Sequence, residues 1–494
     1  MFWLGSGEKD RVLPLILLAV YLLSRLPVLG LLPMVLDEGL YSVMIEEQRS
    51  HPTLIPTYLD HQVSWKPSPF FWIYGILSQP LLALGLPAEV AYRFPSFLFG
   101  MLSVPLLYSL MRKTGSSPAV AFISGIVFLF SSVSLYAETS LLTDSPLLFF
   151  VLASFYIYID GRFGRARFIA AGLLAACAFF FKLVFAFVPL ALALAYFAVK
   201  DRKVLRDPVF ILSLLFVPAV LAGDYLLLQS AGLGDELFFG DIGSHLVSAS
   251  GILGQVNGSI NSITLLIVYL PFWFALSFFG FARNWRGNLL MSFWFLLMIP
   301  ALVSNNTMPW YFLPVLPAIS YFVAVLLVRH EGKERMDLFM GLVLAGLIIM
   351  TMALDLYLRF EELRFFNAEK EAGTMLAGKA DVLVIGTYTP SLIAYKTLPE
   401  RKAWGSPLDF GWVLLGPDAN RTMYDDFVRD YMNDRYEVVQ GSMSSGFSRP
   451  IIFRKDSNIT RFSYIVVSGP SDYTPSGKEI YSSSSPRIRV YEVD

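Results

Sequence analysis

Two acidic pairs stand where hydrophobic runs end. Asp37 and Glu38 follow the run 12–33, and Glu138 and Asp144 follow the run 118–136. Carboxylates take protons and orient hydroxyl groups. Two such pairs at the lip of an apolar bundle suit chemistry on a substrate held at a membrane. Cations are set among apolar residues in the same way. Lys66 lies in Trp65-Lys66-Pro67-Ser68-Pro69, Arg93 in Tyr92-Arg93-Phe94-Pro95-Ser96, and Lys182 between Phe179-Phe180-Phe181 and Leu183-Val184-Phe185. A charge in a membrane helix costs about 2.5–3.5 kcal/mol on insertion scales, so each of these needs a partner or water.

Each residue has a plainer reading beside the chemical one. Asp37 could cap the helix that follows, with Glu38 favouring its positive end, and a cap would also fix the carboxylate for use. Asp144, before Ser145-Pro146, could be another N-cap. Lys66 is either a snorkelling interfacial lysine or a ligand for a phosphoryl oxygen, for which an ammonium is a compact charge. Arg93 implies an anionic partner, either a ligand phosphate or one of Asp37 and Glu138. Lys182 needs a counter-ion or a hydrated cleft and is read as an active-site cation ahead of a structural ion pair. Arg25 is read as a structural neutraliser of one carboxylate. His245, in an external loop, is a minor candidate, as is Glu138. Trp310 and Tyr311, in Met308-Pro309-Trp310-Tyr311-Phe312-Leu313-Pro314, are either interfacial anchors or a surface for an isoprenoid chain with a phenol for a phosphate. No His/Cys cluster has metal-ligand spacing. No cofactor is certain, and a divalent ion on Asp37, Glu38 and Asp144 has no support of its own.

These residues need a membrane bundle to hold them. Of 494 residues 55% are hydrophobic and 16% charged, against about 25% charged in an ordinary soluble domain. A net charge of −1 argues against nucleic acid as a partner. The one cysteine, Cys177, can form no intrachain disulfide. Apolar runs at 12–33, 93–111, 118–136, 145–160, 168–181, 183–199, 209–228, 262–281, 289–304, 311–328 and 338–358 predict about eleven transmembrane helices. The pair 168–181 and 183–199 could be a hairpin bent at Lys182. Lys and Arg cluster at every second loop, as at Arg112/Lys113, Arg162/Arg165/Arg167 and Arg329/Lys333/Arg335. This puts the N-terminus in the cytoplasm of a cell-membrane protein and the candidate residues outside. Four N-x-S/T sequons, beginning at Asn257, Asn305, Asn420 and Asn458, fall on that outer side.

Between the first two spans, 39–48 reads as a short interfacial helix with an apolar stripe (Leu40, Val43, Met44) beside Glu46 and Glu47. The segment 67–86 reads as a partly embedded juxtamembrane helix. The division expected is a transmembrane domain over 1–360 and an extracytoplasmic α/β domain over 361–494. In the latter, 381–386, 412–415, 436–440, 450–454, 464–467 and 487–493 read as strands, and 389–396 and 424–433 as helices. It contains no Gly-rich nucleotide fingerprint.

The order of motifs resembles the GT-C membrane glycosyltransferases of the protein O-mannosyltransferase and aminoarabinose transferase type. It runs from Asp37-Glu38 through Trp65-Lys66-Pro67-Ser68-Pro69, Arg93-Phe94-Pro95-Ser96, 138–144 and Phe181-Lys182 to Pro309-Trp310-Tyr311-Phe312-Leu313-Pro314. The resemblance covers about 12–330, and 382–395 is similar to the extracytoplasmic domain of such enzymes. It implies a sugar donor linked to polyprenyl monophosphate and an acceptor protein, lipid or glycan, with membrane lipids around. Asp37 and Asp144 match the family's loop carboxylates, Lys66 a lysine for the donor phosphate, and Lys182 a buried active-site lysine. Trp65 and Ser68 stand where the family often has glutamate and proline. Leu40 stands where the aminoarabinose branch has arginine, and Met308 where a basic residue is common. The W-W-D-Y-G signature of oligosaccharyltransferases is absent. A rival from another class, a transporter or flippase of lipid-linked sugars, would also need buried charges. It often shows internal repeats, and none is visible here.

Overall fold

The computed structural model describes residues 6–58, 61–64, 66–234, 270–297, 309–328, 334–377, 379, 382–386, 392, 394–395, 412–415, 451–452, 464–468, 478–484 and 487–492. They cluster into two compact units. One comprises Met1–Leu29, Trp65–Phe70 and Arg93–Tyr357, and the other Gly30–Ser64, Phe71–Tyr92 and Leu358–Asp494. In chain order the helices are α1 (Ser6–Arg25), α2 (Leu36–Ser50), α3 (Ser68–Ala83), α4 (Ala88–Lys113), α5 (Pro118–Leu129), α6 (Ser132–Thr139), α7 (Asp144–Ile159), α8 (Ala166–Phe179), α9 (Val188–Lys200), α10 (Pro208–Leu214), α11 (Phe216–Ser230), α12 (Pro271–Asn284), α13 (Leu289–Leu296), α14 (Leu316–Val328) and α15 (Glu334–Met375).

The first unit is a helical bundle. Among the described residues four helices are long and apolar enough to cross a membrane, or five if the bent α5–α6 pair is one span. Several helices are punctuated where the hydrophobic pattern runs on. Run 12–33 leaves the α-helix at Arg25 and continues as a 3-10 turn, Leu26–Val28, because Pro27 cannot donate to the ladder. Run 118–136 bends by 63° between α5 and α6. There the Ser131 hydroxyl accepts from the Ser134 N–H at 3.2 Å and starts a new helix. Run 209–228 breaks at Leu215, since Pro218 has no N–H to give to the Leu214 carbonyl four residues before it. The run 168–199 opens at Lys182, between the end of α8 and a 3-10 turn, Val184–Phe187.

Ion pairs tie the polar loops at one end of this bundle. Arg112 grips Asp10 at 2.7 and 3.1 Å. Lys113 meets Asp160 at 3.0 Å, Arg162 meets it at 2.6 Å, and Arg165 meets Asp207 at 2.9 Å. The start of α1, the end of α4, the α7–α8 loop and the start of α10 are thereby gathered. Arg25, Arg93, Asp144 and Lys182 belong to the opposite ends of α1, α4, α7 and α8.

The second unit joins the segment after α1 to the C-terminal part of the chain. Helix α2 begins at Leu36, earlier than the pattern suggests, and 41–50 is buried on all sides. It is therefore no surface helix with its charges outward. Glu46 accepts from Arg49 at 2.8 Å and from the Tyr92 hydroxyl. Tyr395 donates to Glu89 at 3.0 Å and accepts from the Met34 N–H at 2.6 Å, while Lys370 pairs with Glu89 at 2.7 Å.

Helix α15 runs through position 360, past the composition change near 361. Its 42 residues span about 63 Å at 1.5 Å per residue, about twice a hydrocarbon core of about 30 Å. A short antiparallel pair joins β1 (Thr57–Tyr58) to β2 (His61–Gln62), and a larger sheet contains β3 (Val382–Gly386), β4 (Trp412–Leu415), β5 (Ile451–Ile452), β6 (Tyr464–Ser468), β7 (Lys478–Ser484) and β8 (Arg487–Glu492), in the order β5-β4-β3-β6-β8-β7. Strand β3 is parallel to both neighbours, with Val382 opposite Trp412 and Tyr464, whereas β5, β7 and β8 pair antiparallel. The serine-rich β7 was not expected from sequence, and its pairing with β8 overrides its low strand propensity. The helix at 424–433 and the strand at 436–440 lie outside the described residues.

Candidate active site

Asp144 is the first residue of α7, with Thr143 at the cap position, so it is not the N-cap its sequence suggests. Its turn is latched to α4. Ser96 donates to the Leu142 carbonyl at 3.1 Å, and Ser145 donates to the Ser96 carbonyl at 2.8 Å. Lys182 Nζ lies 2.7 Å from Asp144 Oδ1, with side-chain exposures of 11% and 1%. The same ammonium stands 3.4 Å from the Tyr311 ring centroid and 5.5 Å from that of Phe185. The face of an aromatic ring attracts a cation more strongly where water is scarce. Phe181 stacks on Phe150 at 5.5 Å and meets Phe70 and Phe99 edge-on, each at 6.1 Å. Lys66, half-buried, is close enough for its charge to act on Asp144. Thus Asp144, Lys182, Tyr311 and Lys66 form one cluster in the first unit.

A second ion pair lies at the same end. Arg25 Nε donates to Glu138 Oε2 at 2.9 Å, and both side chains are 1% exposed. Arg93 is buried and donates to the Leu29 carbonyl at 3.1 Å. Trp310 stacks on Tyr136 at 5.3 Å with 7° between the planes. The packing of α4 here depends on Gly100. A Cβ at that position would lie 2.6 Å from Tyr21 Oη and 2.7 Å from Glu138 Cγ. Tyr136 and Gly100 carry no sequence signal. Ser96 does, as the last residue of the Arg93 motif.

Asp37 and Glu38 belong to the second unit. Val35 occupies the cap position of α2 and Glu38 supplies the capping carboxylate, its Oε2 accepting from the Val35 N–H at 3.0 Å. Asp37 lies in the first turn, half-buried, and is not the cap. An apolar cavity of ≈ 350 Å³ in this unit is lined by Gln48, Arg49, Pro52, Phe71, Trp72, Gly75 and Ile76. Gln48 is held by Trp72 at 2.9 Å and by Thr53 at 2.7 Å, leaving walls suited to hydrocarbon. His245 and the four sequons lie outside the described residues. Among the described residues no group of three or more His, Cys, Asp or Glu could hold a metal ion.

The chain is similar over nearly its whole length to solved membrane enzymes. ArnT from Cupriavidus metallidurans in the apo state matches with a TM-score of 0.67 and 16% identity, covering 97% of each chain. The same enzyme bound to undecaprenyl phosphate matches at 0.67 with 15% identity and the same 97% coverage of both. The archaeal oligosaccharyltransferase AglB from Archaeoglobus fulgidus, in complex with an inhibitory peptide and a dolichol-phosphate, matches at 0.52 with 11% identity, covering 93% of this chain and 69% of that one. No curated protein matches the sequence. The fold is that of the GT-C membrane glycosyltransferases, and the chain is an integral membrane protein with several apolar spans. Residues 40–230 match the family described as dolichyl-phosphate-mannose-protein mannosyltransferase (PMT). The chain is thus similar to this family over 40–230 and to ArnT in fold over nearly its whole length.

Proposed function

We propose that the chain is a glycosyltransferase dependent on a polyprenyl-phosphate sugar donor, and that it transfers the sugar, with inversion, to a hydroxyl of a protein, lipid or glycan acceptor on the non-cytoplasmic face of the membrane. The bond from the anomeric carbon to the donor's phosphate oxygen breaks, and a bond to the acceptor oxygen forms. The acceptor proton passes to Asp37 as general base, and the lipid phosphate leaves as the anion. Lys182 and Lys66, supported by the field of Arg93, stabilise the charge gathering on that phosphate. Glu38 fixes the turn that carries Asp37, and Asp144 holds Lys182 in place until the phosphate arrives. Trp310 and Tyr311 flank the donor. If the acceptor is itself a phosphate, no base is needed and Asp37 only positions it.

The observation that carries this reading is the Lys182 ammonium held between Asp144 and the Tyr311 ring, with Lys66 in electrostatic range. An ammonium on a flexible stem can turn toward a second anion. The same reading has about eleven crossings, the N-terminus in the cytoplasm and the 361–494 domain outside. The ion pairs that gather the basic loops at the end of the bundle away from Asp144 support it. The test supplies purified enzyme with polyprenyl-phosphate sugars and acceptor fractions and follows released lipid phosphate. Asp37→Asn is expected to abolish transfer in a folded, membrane-inserted protein. Turnover at the wild-type rate by that variant would remove the general base.

A further inference from the structure

We propose that Arg25 is a positioning residue for transfer: one guanidinium clamps the α5–α6 bend and thereby sets the Asp144–Lys182–Tyr311 cluster. This rests on reading that cluster as part of the transfer site. Arg25 reaches both sides of the bend. It donates to the Leu129 carbonyl at the end of α5, and on α6 to Ser134 Oγ at 3.2 Å and Glu138 Oε2 at 2.9 Å. Its remaining nitrogen donates to Ser24 Oγ at 2.9 Å. The Tyr21 ring lies 5.3 Å from the guanidinium, and the Tyr21 hydroxyl donates to the Phe97 carbonyl at 2.7 Å, so the clamp is anchored to α4.

Helix α6 meets the cluster by two routes. Its C-terminal end leads through 140–143 into Asp144. Its Tyr136 stacks flat on Trp310, the neighbour of Tyr311, on whose ring the Lys182 ammonium rests. A shift of α6 therefore moves both the carboxylate and the ring that aim Lys182. Net stability is a weak reason for such a buried pair, since desolvation offsets most of its attraction. Glu138 Oε1 is moreover buried and, among the described residues, has no hydrogen-bond partner. A planar fork of donors suits a residue that must hold a carbonyl, a hydroxyl and a carboxylate at fixed angles, and a lysine offers no such fork.

Arg25→Lys in the full-length membrane protein separates charge from geometry. It keeps a cation opposite Glu138 and loses the fork. Its kcat is expected to fall about 10–100-fold through misplacement of the cluster, with donor KM little changed and the melting temperature lowered by the buried acceptors left unpaired. Tyr136→Leu, which touches no charge, is expected to lower kcat by a similar factor. The double variant Arg25→Lys/Tyr136→Leu should be scarcely worse than either, because the two act along one route. Wild-type kcat in folded Arg25→Lys would make Arg25 a counter-ion only and overturn the proposal. Should that variant fail to fold, Tyr136→Leu decides, and wild-type kcat there overturns it equally, as would fully additive losses. Lys182→Met tells the two failures apart. Normal turnover in Lys182→Met removes the site reading itself. An inactive Lys182→Met beside normal Arg25→Lys and Tyr136→Leu removes only the clamp.

Discussion

Lys182→Met takes the ammonium away from Asp144 and leaves a side chain of similar length. The charges it separates are 2.7 Å apart, with side-chain exposures of 11% and 1%. At an effective dielectric constant of about 20 their attraction is about 6 kcal/mol, and removing both charges from water cancels most of it. Breaking the pair is the costlier event, because Asp144 is left buried without its ammonium, at about 3–5 kcal/mol. Lys66 remains in range of Asp144 and favours the lower end of that span. Catalysis should suffer separately. Losing one fixed donor to a developing anion lowers kcat by about 10²–10³-fold.

The double variant Lys182→Met/Asp144→Asn divides these effects. With neither charge buried, thermal stability should return close to the wild-type value, while release of lipid phosphate stays as low as in Lys182→Met. Both quantities are measured on the full-length protein in detergent, by thermal unfolding and by donor turnover. A double variant that turns over like the wild type would show the pair to be structural and refute the assignment of Lys182. An unchanged melting temperature in the single variant would refute the view that Asp144 depends on Lys182.

Other consequences concern the frame. Gly100→Ala puts a methyl group 2.6 Å from Tyr21 Oη and 2.7 Å from Glu138 Cγ. Overpacking of about 1–3 kcal/mol should exceed the helix-propensity gain of about 1 kcal/mol, so the melting temperature should drop, and a rise would contradict the close approach of α4. At the opposite end, hydrogen bonds from Arg162 and then Lys113 hold the Asp160 carboxyl well below the usual carboxylate range. A depressed carboxylate lends stability above its unfolded pKa, about 3.9, and loses it as pH falls through the lower folded value. The difference in melting temperature between wild type and Asp160→Asn should therefore be full at neutral pH and shrink below about pH 4; a difference independent of pH would argue against that loop contact.

Much of the frame is legible in the chain, and the reason differs by element. Strands β3, β4, β6 and β8 announce themselves as apolar or β-branched runs. The seven residues of β7 include three serines, and only pairing with β8 makes them a strand. The apolar runs locate the helices but not their breaks. Pro27, Ser131 and Pro218 interrupt the hydrogen-bond ladder without interrupting the hydrophobic pattern. The order Asp37-Glu38 invited the aspartate as cap. In the fold the longer glutamate, three residues past Val35, reaches back to the free N–H instead. Asp144 could have paired with any of several cations. Lys182, 38 residues away, is its partner because Ser96 and Ser145 fix the acidic turn on α4 and the chain breaks at the lysine.

The Arg25–Glu138 and Lys182–Asp144 pairs use different cations, and the difference follows from geometry. Around Arg25 the acceptors are a helix-end carbonyl, two hydroxyls and a carboxylate, spread over α1, α5 and α6. Such a set calls for a rigid planar donor that stays where it is put. Around Lys182 stand the Asp144 carboxylate and a wall of rings, Tyr311, Phe185 and, beside the neighbouring Phe181, Phe150. That setting stabilises a cation from its faces and leaves the direction of its hydrogen bonds adjustable. In the proposed reaction, a guanidinium there would be too fixed to follow a phosphate whose charge grows as the sugar departs. A lysine at the bend could not hold α5 and α6 together. Under the proposed roles, each pair has the cation its task requires: arginine where geometry must be kept, lysine where a charge must be met as it forms.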